Sequence, residues 1–109
     1  MEIIVIYCTV PNKKQAEKIA KLLLENKLAA CVSMVNNVVS HFSWEGELCK
    51  EKELLLMIKT RRANFSKIKI VIESVHDYTT PEIIAAPIVE CSEEYLKWII
   101  KETEQSQQS

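Results

Sequence analysis

Gly46 is the single glycine of this 109-residue chain, where average usage supplies roughly seven or eight. Left-handed backbone, which glycine adopts without steric cost, is therefore confined to few places. Gly-rich loops that cradle nucleotide phosphates need several residues without a Cβ, so P-loop and dinucleotide-binding chemistry is excluded. The one glycine stands in Trp44-Glu45-Gly46-Glu47, between two long β-favouring stretches. The first, residues 28–44, carries Val32, Met34, Val35, Val38, Val39 and Phe42, with a bend or bulge expected at Asn36-Asn37. The second runs from about Leu48 to Thr60. A hairpin with its turn at Gly46 follows. Its strands greatly exceed the usual five or six residues, so at about 3.3 Å per residue the ribbon reaches some 40–50 Å. A ribbon that overshoots its own sheet exposes apolar edges, which predicts pairing with neighbouring subunits.

The other elements follow with short punctuation. Residues 2–10 are β-branched and end at Pro11-Asn12, predicting a buried strand. Asn12 caps a helix to about Asn26, Gln15 completes a capping-box pattern, and Ala16, Ile19, Ala20 and Leu23 share one face. Residues 61–75 place Phe65, Ile68, Ile72 and Val75 on a second helical face. Pro81 opens a last strand, residues 82–90, which Pro87 confines to a sheet edge or a bulge. Ser92 with Glu93 and Glu94 starts a final helix whose apolar face is Tyr95, Trp98 and Ile99. The order strand-helix-strand-strand-helix-strand plus a terminal helix is that of an α+β, ferredoxin-like split βαβ sandwich. Residues 1–104 form one domain in this reading, and residues 105–109 a polar tail.

Charge excludes more. The 14 basic residues against 15 acidic ones leave a net charge of −1, so no attraction to nucleic acid or anionic membrane is expected. No apolar run approaches the roughly 18 residues of a bilayer span, and the first residues lack a basic leader, which predicts a cytoplasmic protein. Cys8, Cys31, Cys49 and Cys91 form no C-x-x-C pair and are expected as free thiols.

In this topology the ends of the first and third strands and the start of the fourth are expected at one sheet edge. That gathers Cys8-Thr9, Lys59-Thr60 and residues 76–82. Three readings are open there. Thiolate and imidazole together suit a soft metal such as copper, with Cys8 and His76 as ligands, although two are too few for a closed site. His76 activating Cys8 as a nucleophile is the second, but no oxyanion donor set or orienting third residue accompanies the pair, so no enzyme is expected. In the third, Thr80-Pro81-Glu82 launches a strand, His76 ends a helix, and Cys8 is a small core residue. Elsewhere, His41 reads as a structural strand residue. Lys59, Arg61 and Arg62 form a basic cluster for an anion or a solvated helix start, and Trp44 reads as an interface anchor.

Leu28-Ala29-Ala30-Cys31-Val32, Trp44-Glu45-Gly46, Lys59-Thr60 and His76-x-Tyr78-x-x-Pro81-Glu82-Ile83 occur in the order and spacing of the CutA family of divalent-cation tolerance proteins, which the chain resembles from about residue 3 to residue 99. The resemblance implies a ferredoxin-like fold, a homotrimer, an architecture similar to PII signalling proteins, and a divalent metal ion as partner. It also implies copper binding at the positions matching Cys8 and His76. Val75 stands where some members have a second histidine, Asp77 replaces the usual proline of the His-Pro-Tyr motif, and Phe42 stands where tyrosine is common. The expected function is cytoplasmic tolerance of copper or a related divalent ion. The alternative is a PII-like regulatory or scaffold trimer holding a small anion or a protein partner at inter-subunit clefts.

Overall fold

Residues 2–105 are described by a computed structural model. The first strand, β1 (Ile3–Val10), buries Ile4, Ile6, Cys8 and Val10 on one face and stops at Pro11. Asn12 then adopts extended backbone, and its side-chain oxygen accepts from the Gln15 N–H at 2.9 Å, capping α1 (Lys13–Glu25). The Gln15 side chain does not close the predicted capping box: its oxygen accepts the Asp77 N–H at 3.2 Å. Asn12→Ala leaves that helical N–H without its partner and is expected to cost about 1 kcal/mol of stability, read as a lower midpoint in urea unfolding with an unchanged slope.

The hairpin is as long as predicted. Strand β2 (Cys31–Trp44) pairs with β3 (Glu47–Arg61), and Glu45 and Gly46 both have positive φ, 49° and 83°, which makes a two-residue type I′ turn. The expected bulge is present, with Asn37 at φ 61° between the Val35–Leu55 and Val38–Glu53 pairs. β2 starts at Cys31 and not at Leu28, because residues 27–29 close α1 instead. Lys27 is left-handed, the Leu28 N–H donates to the Leu23 carbonyl, and the Leu28 carbonyl accepts from the Thr60 hydroxyl and the Asn64 amide.

A 3-10 turn, Arg62–Asn64, leads into α2 (Phe65–Val75). The last strand, β4 (Ile84–Pro87), is shorter than the predicted 82–90 and lies at the sheet edge, where the missing N–H of Pro87 is tolerated. The final helix is α3 (Glu93–Glu102). On its predicted apolar face Ile99 is fully buried, while Tyr95 and Trp98 lie 5.4 Å apart between tilted ring centroids and are 39% and 41% exposed. Of the predicted tail, Gln105 donates to the Lys27 carbonyl, and residues 106–109 lie outside the described residues.

The sheet order is β2-β3-β1-β4, antiparallel throughout, with α1 and α2 on one face: the ferredoxin-like arrangement that the element order predicts. Among the described residues the opposite face is covered only at one end, where α3 packs Ile99 and Leu96 on Ile3, Ala30 and Ile88. Beyond that end, the face of Ile3 continues through Val5 and Tyr7 on β1, Met57 and Leu55 on β3, and Val35 on β2, without a covering layer among the described residues.

Candidate functional site

The end of β1 and the start of the 76–80 loop meet at one backbone oxygen. The His76 ring Nε2 lies 2.8 Å from the Thr9 carbonyl oxygen, and Cys8 Sγ donates to the same oxygen over 3.7 Å. A carbonyl only accepts, so Nε2 carries the hydrogen. Nδ1 must then hold the lone pair, and it accepts the Tyr78 N–H at 3.0 Å. Both ring nitrogens are thereby engaged. Tyr78 extends the chain of contacts: its hydroxyl donates to Glu53 Oε2 at 2.7 Å, and its ring lies 4.7 Å from that of His76. The Asp77 N–H is held by Gln15 from α1, so the loop is pinned to three elements.

Cys8 has no exposed surface and belongs to the main core with Ile6, Leu56 and Ile72. Burial first, then the Glu82 and Glu53 carboxylates, push its thiol from 9.0 up to about 12. The neutral thiol is thus the native form at neutral pH. The folded value lies above the unfolded one, so this contribution to stability is complete below pH 9 and is lost as pH rises toward 12. Stability should fall in that window with a contribution of about 1.4 kcal/mol per pH unit, and urea unfolding of Cys8→Ala against pH should lack it. Burial and the Glu53 carboxylate likewise raise the Tyr78 hydroxyl above its ordinary value.

The structure brings Cys8, Thr9 and His76 together but not Lys59 and Thr60, which corrects the expected convergence. The antiparallel register sets Cys8 against Leu56 and Ile4 against Thr60, so the end of β3 lies at the start of β1. The predicted basic cluster is dispersed as well. Lys59 turns to Ser33, Arg61 reaches Thr103 and the Ile100 carbonyl under α3, and Arg62 pairs with Glu2. His41 is exposed on the ribbon opposite Lys50, and Trp44 is half-exposed at its tip.

With Nε2 donating to Thr9 and Nδ1 occupied by Tyr78, His76 has no lone pair for the Cys8 proton, and the nucleophile reading finds no base. Metal donors are present in kind, a thiol and an imidazole on one oxygen. Among the described residues, no group of three or more His, Cys, Asp or Glu side chains is placed to hold an ion. Sequence reasoning missed Gln15 and Glu53 as supports of the loop. Glu53 had a signal, a carboxylate directly before the apolar run Leu54 to Ile58. Gln15 had none beyond its capping position. Beside the loop a cleft of about 490 Å³ runs from Phe42, Trp44 and Glu51 on the ribbon to Asp77, Tyr78 and Thr80.

The motif order, the ferredoxin-like topology, the long hairpin and this loop coincide with one sequence family. The profile described as CutA1 divalent ion tolerance protein matches residues 4–102. The chain belongs to the CutA1 family. It is 44% identical over 99 residues to the divalent-cation tolerance protein CutA of Thermus thermophilus, spanning 91% of this chain and 96% of that one. It is 40% identical to the chloroplastic protein CutA of Arabidopsis thaliana over 92% of this chain, and spans 55% of that protein's length. A solved Thermus thermophilus CutA1 superimposes with a TM-score of 0.91 at 43% identity, covering 94% of this chain and 99% of that one. CutA1 from Oryza sativa superimposes at 0.92 and 38% identity, covering 97% of each. The overall fold of this chain is thus that of the solved CutA1 structures.

Proposed function

We propose that this CutA1-family chain serves divalent-cation tolerance in the cytoplasm as a homotrimer that takes up copper or a related divalent ion at Cys8 and His76. The observation that carries the reading is the meeting of Cys8 Sγ and His76 Nε2 on the single carbonyl oxygen of Thr9. Thiolate and imidazole are the donors that favour copper among divalent ions. Both are closed by hydrogen bonds, so for Nε2 to ligate beside Sγ each gives something up: Cys8 loses its proton, and the His76 hydrogen passes from Nε2 to Nδ1, which displaces the Tyr78 N–H. Release of Tyr78 loosens the loop that also carries the hydroxyl bond to Glu53. The rest of the coordination shell comes from solvent or a neighbouring subunit. Support for assembly is the uncovered sheet face of Val5, Tyr7, Met57 and Val35, together with the ribbon that carries Phe42 and Trp44 half-exposed. The number three rests on the family resemblance.

Copper titration of the purified chain tests the site. Cys8→Ala and His76→Ala are each expected to weaken binding at least tenfold, in the range seen when metal-site partners are removed, while Cys49→Ala and Cys91→Ala leave it unchanged. Equal losses in all four variants would mean that copper collects on accessible thiols. The second reading, a PII-like regulatory or scaffold trimer, is favoured by the full engagement of both His76 nitrogens, which suits a clip that holds the 76–80 loop.

A further inference from the structure

The His76 ring dictates what happens to Tyr78 when either ring nitrogen ligates an ion. Nε2 donates to the Thr9 carbonyl, and Nδ1 accepts the Tyr78 N–H at 3.0 Å. If Nδ1 ligates, its lone pair is spent on the ion. If Nε2 ligates, its hydrogen passes to Nδ1, which then has no lone pair to offer. By either route the Tyr78 N–H loses its acceptor. The same residue is held at its other end by Glu53 of β3, whose Oε2 accepts the Tyr78 hydroxyl at 2.7 Å. Glu53 is 5% exposed, and among the described residues no cation lies within ion-pairing distance of it. A buried carboxylate is costly unless hydrogen bonds compensate it, so the Tyr78 hydroxyl is a partner that Glu53 gives up reluctantly. The neighbouring Asp77 N–H is fixed to the Gln15 side chain of α1 at 3.2 Å. Two adjacent loop residues are thus tied to β3 and α1, elements that carry neither Cys8 nor His76.

We propose that Tyr78 is a latch on the ion site: Glu53 and Gln15 hold the 76–80 loop against His76, and ligation by His76 releases that loop. The inference rests on the Cys8–His76 reading and adds its regulation. The coupling is reciprocal. Ion uptake frees the loop, and a weaker latch strengthens uptake by the factor by which it raises the population of the released loop. Tyr78, Glu53 and Gln15 act here as positioning residues, through the Nδ1 lone pair and not on the ion. Asp77, Tyr78 and Thr80 also wall the cleft beside the ribbon, so release reshapes that cleft.

The test is copper titration of the full chain beside Tyr78→Phe, which deletes the hydroxyl and keeps the ring, with hydrogen exchange of residues 77–80 followed with and without copper. Tyr78→Phe is expected to bind copper about fivefold more tightly, and Gln15→Ala, which frees Asp77 without changing any charge, about twofold more tightly. In the unmutated chain copper should speed exchange of the 77–80 amides by about tenfold or more while the α3 amides keep their rates. Tyr78→Phe should show faster exchange of 77–80 before any copper is added. A tyrosine that only supports the fold gives the opposite sign, equal or weaker binding on its removal. Circular dichroism checks that Tyr78→Phe is folded, and if it is not, Gln15→Ala carries the test. Equal or weaker binding in these variants, or 77–80 exchange that copper leaves unchanged, overturns the latch and leaves the ion site standing as long as Cys8→Ala and His76→Ala lose affinity. Unchanged binding in Cys8→Ala and His76→Ala overturns the ion site and the latch with it.

Discussion

Val35→Asp is expected to convert the proposed trimer to single chains, seen as a threefold drop in light-scattering mass at micromolar concentration. Val35 is 42% exposed in the single chain and lies on the edge strand β2, on the sheet face that no layer covers. A carboxylate there is solvated in the free chain, so the monomer fold loses little. When the same face is buried against a neighbour, the charge is desolvated without a partner, at several kcal/mol per ion, and symmetry repeats that cost at each interface. Trp44→Asp at the ribbon tip is expected to act in the same direction, with the chain still folded. An unchanged mass in both variants would mean that neither the open face nor the ribbon tip is the contact, and a monomeric unmutated chain would remove the trimer itself.

Copper affinity is expected to rise about tenfold for each unit of pH between 6 and 9, because the proposed ligation by Cys8 displaces one proton. The sign follows from the buried thiol. With its value pushed up to about 12, the thiol is protonated over that whole range, and each tenfold fall in proton concentration favours the metal by the same factor. The change across the window is about a thousandfold. In Cys8→Ala the slope attributable to the thiol is gone, and the affinity at pH 9 falls to the level left by His76 and solvent. A flat profile in the unmutated chain would show that Cys8 does not ligate.

How much of this was legible before the structure depends on which distances the pattern carries. The single glycine, the bulge at Asn36-Asn37 and the Asn12 cap are local, set by φ preferences and by hydrogen bonds over three residues, and each stands where the sequence places it. The strand ends were less legible. Leu28 reads as strand by its apolar neighbours, but its carbonyl is claimed by Thr60 and Asn64, more than thirty residues on. The pairing of Cys8 with His76 followed from the element order, since an α2 that runs antiparallel to β3 returns its end to the top of β1. Lys59 and Thr60 were assigned to that same end, and the antiparallel register of β1 with β3 puts them at the other. Least legible was the state of the donors. The residue types suggest a ligand pair, whereas their closure by the Thr9 carbonyl and the Tyr78 N–H depends on backbone atoms that a side-chain pattern does not show. The Glu53 contact likewise joins a loop to a strand across the sheet edge.

The central claim is that Cys8 and His76 hold the ion, and the most direct measurement of it is copper titration at pH 8 of the unmutated chain beside the Cys8→Ala, His76→Ala double variant, with light scattering confirming equal assembly. Saturation at about one ion per subunit, or one per trimer if subunits share it, with loss of that saturable step in the double variant, is the predicted result. Full affinity and stoichiometry retained in the double variant would contradict it, and would leave His76 as the clip that holds the 76–80 loop to Thr9.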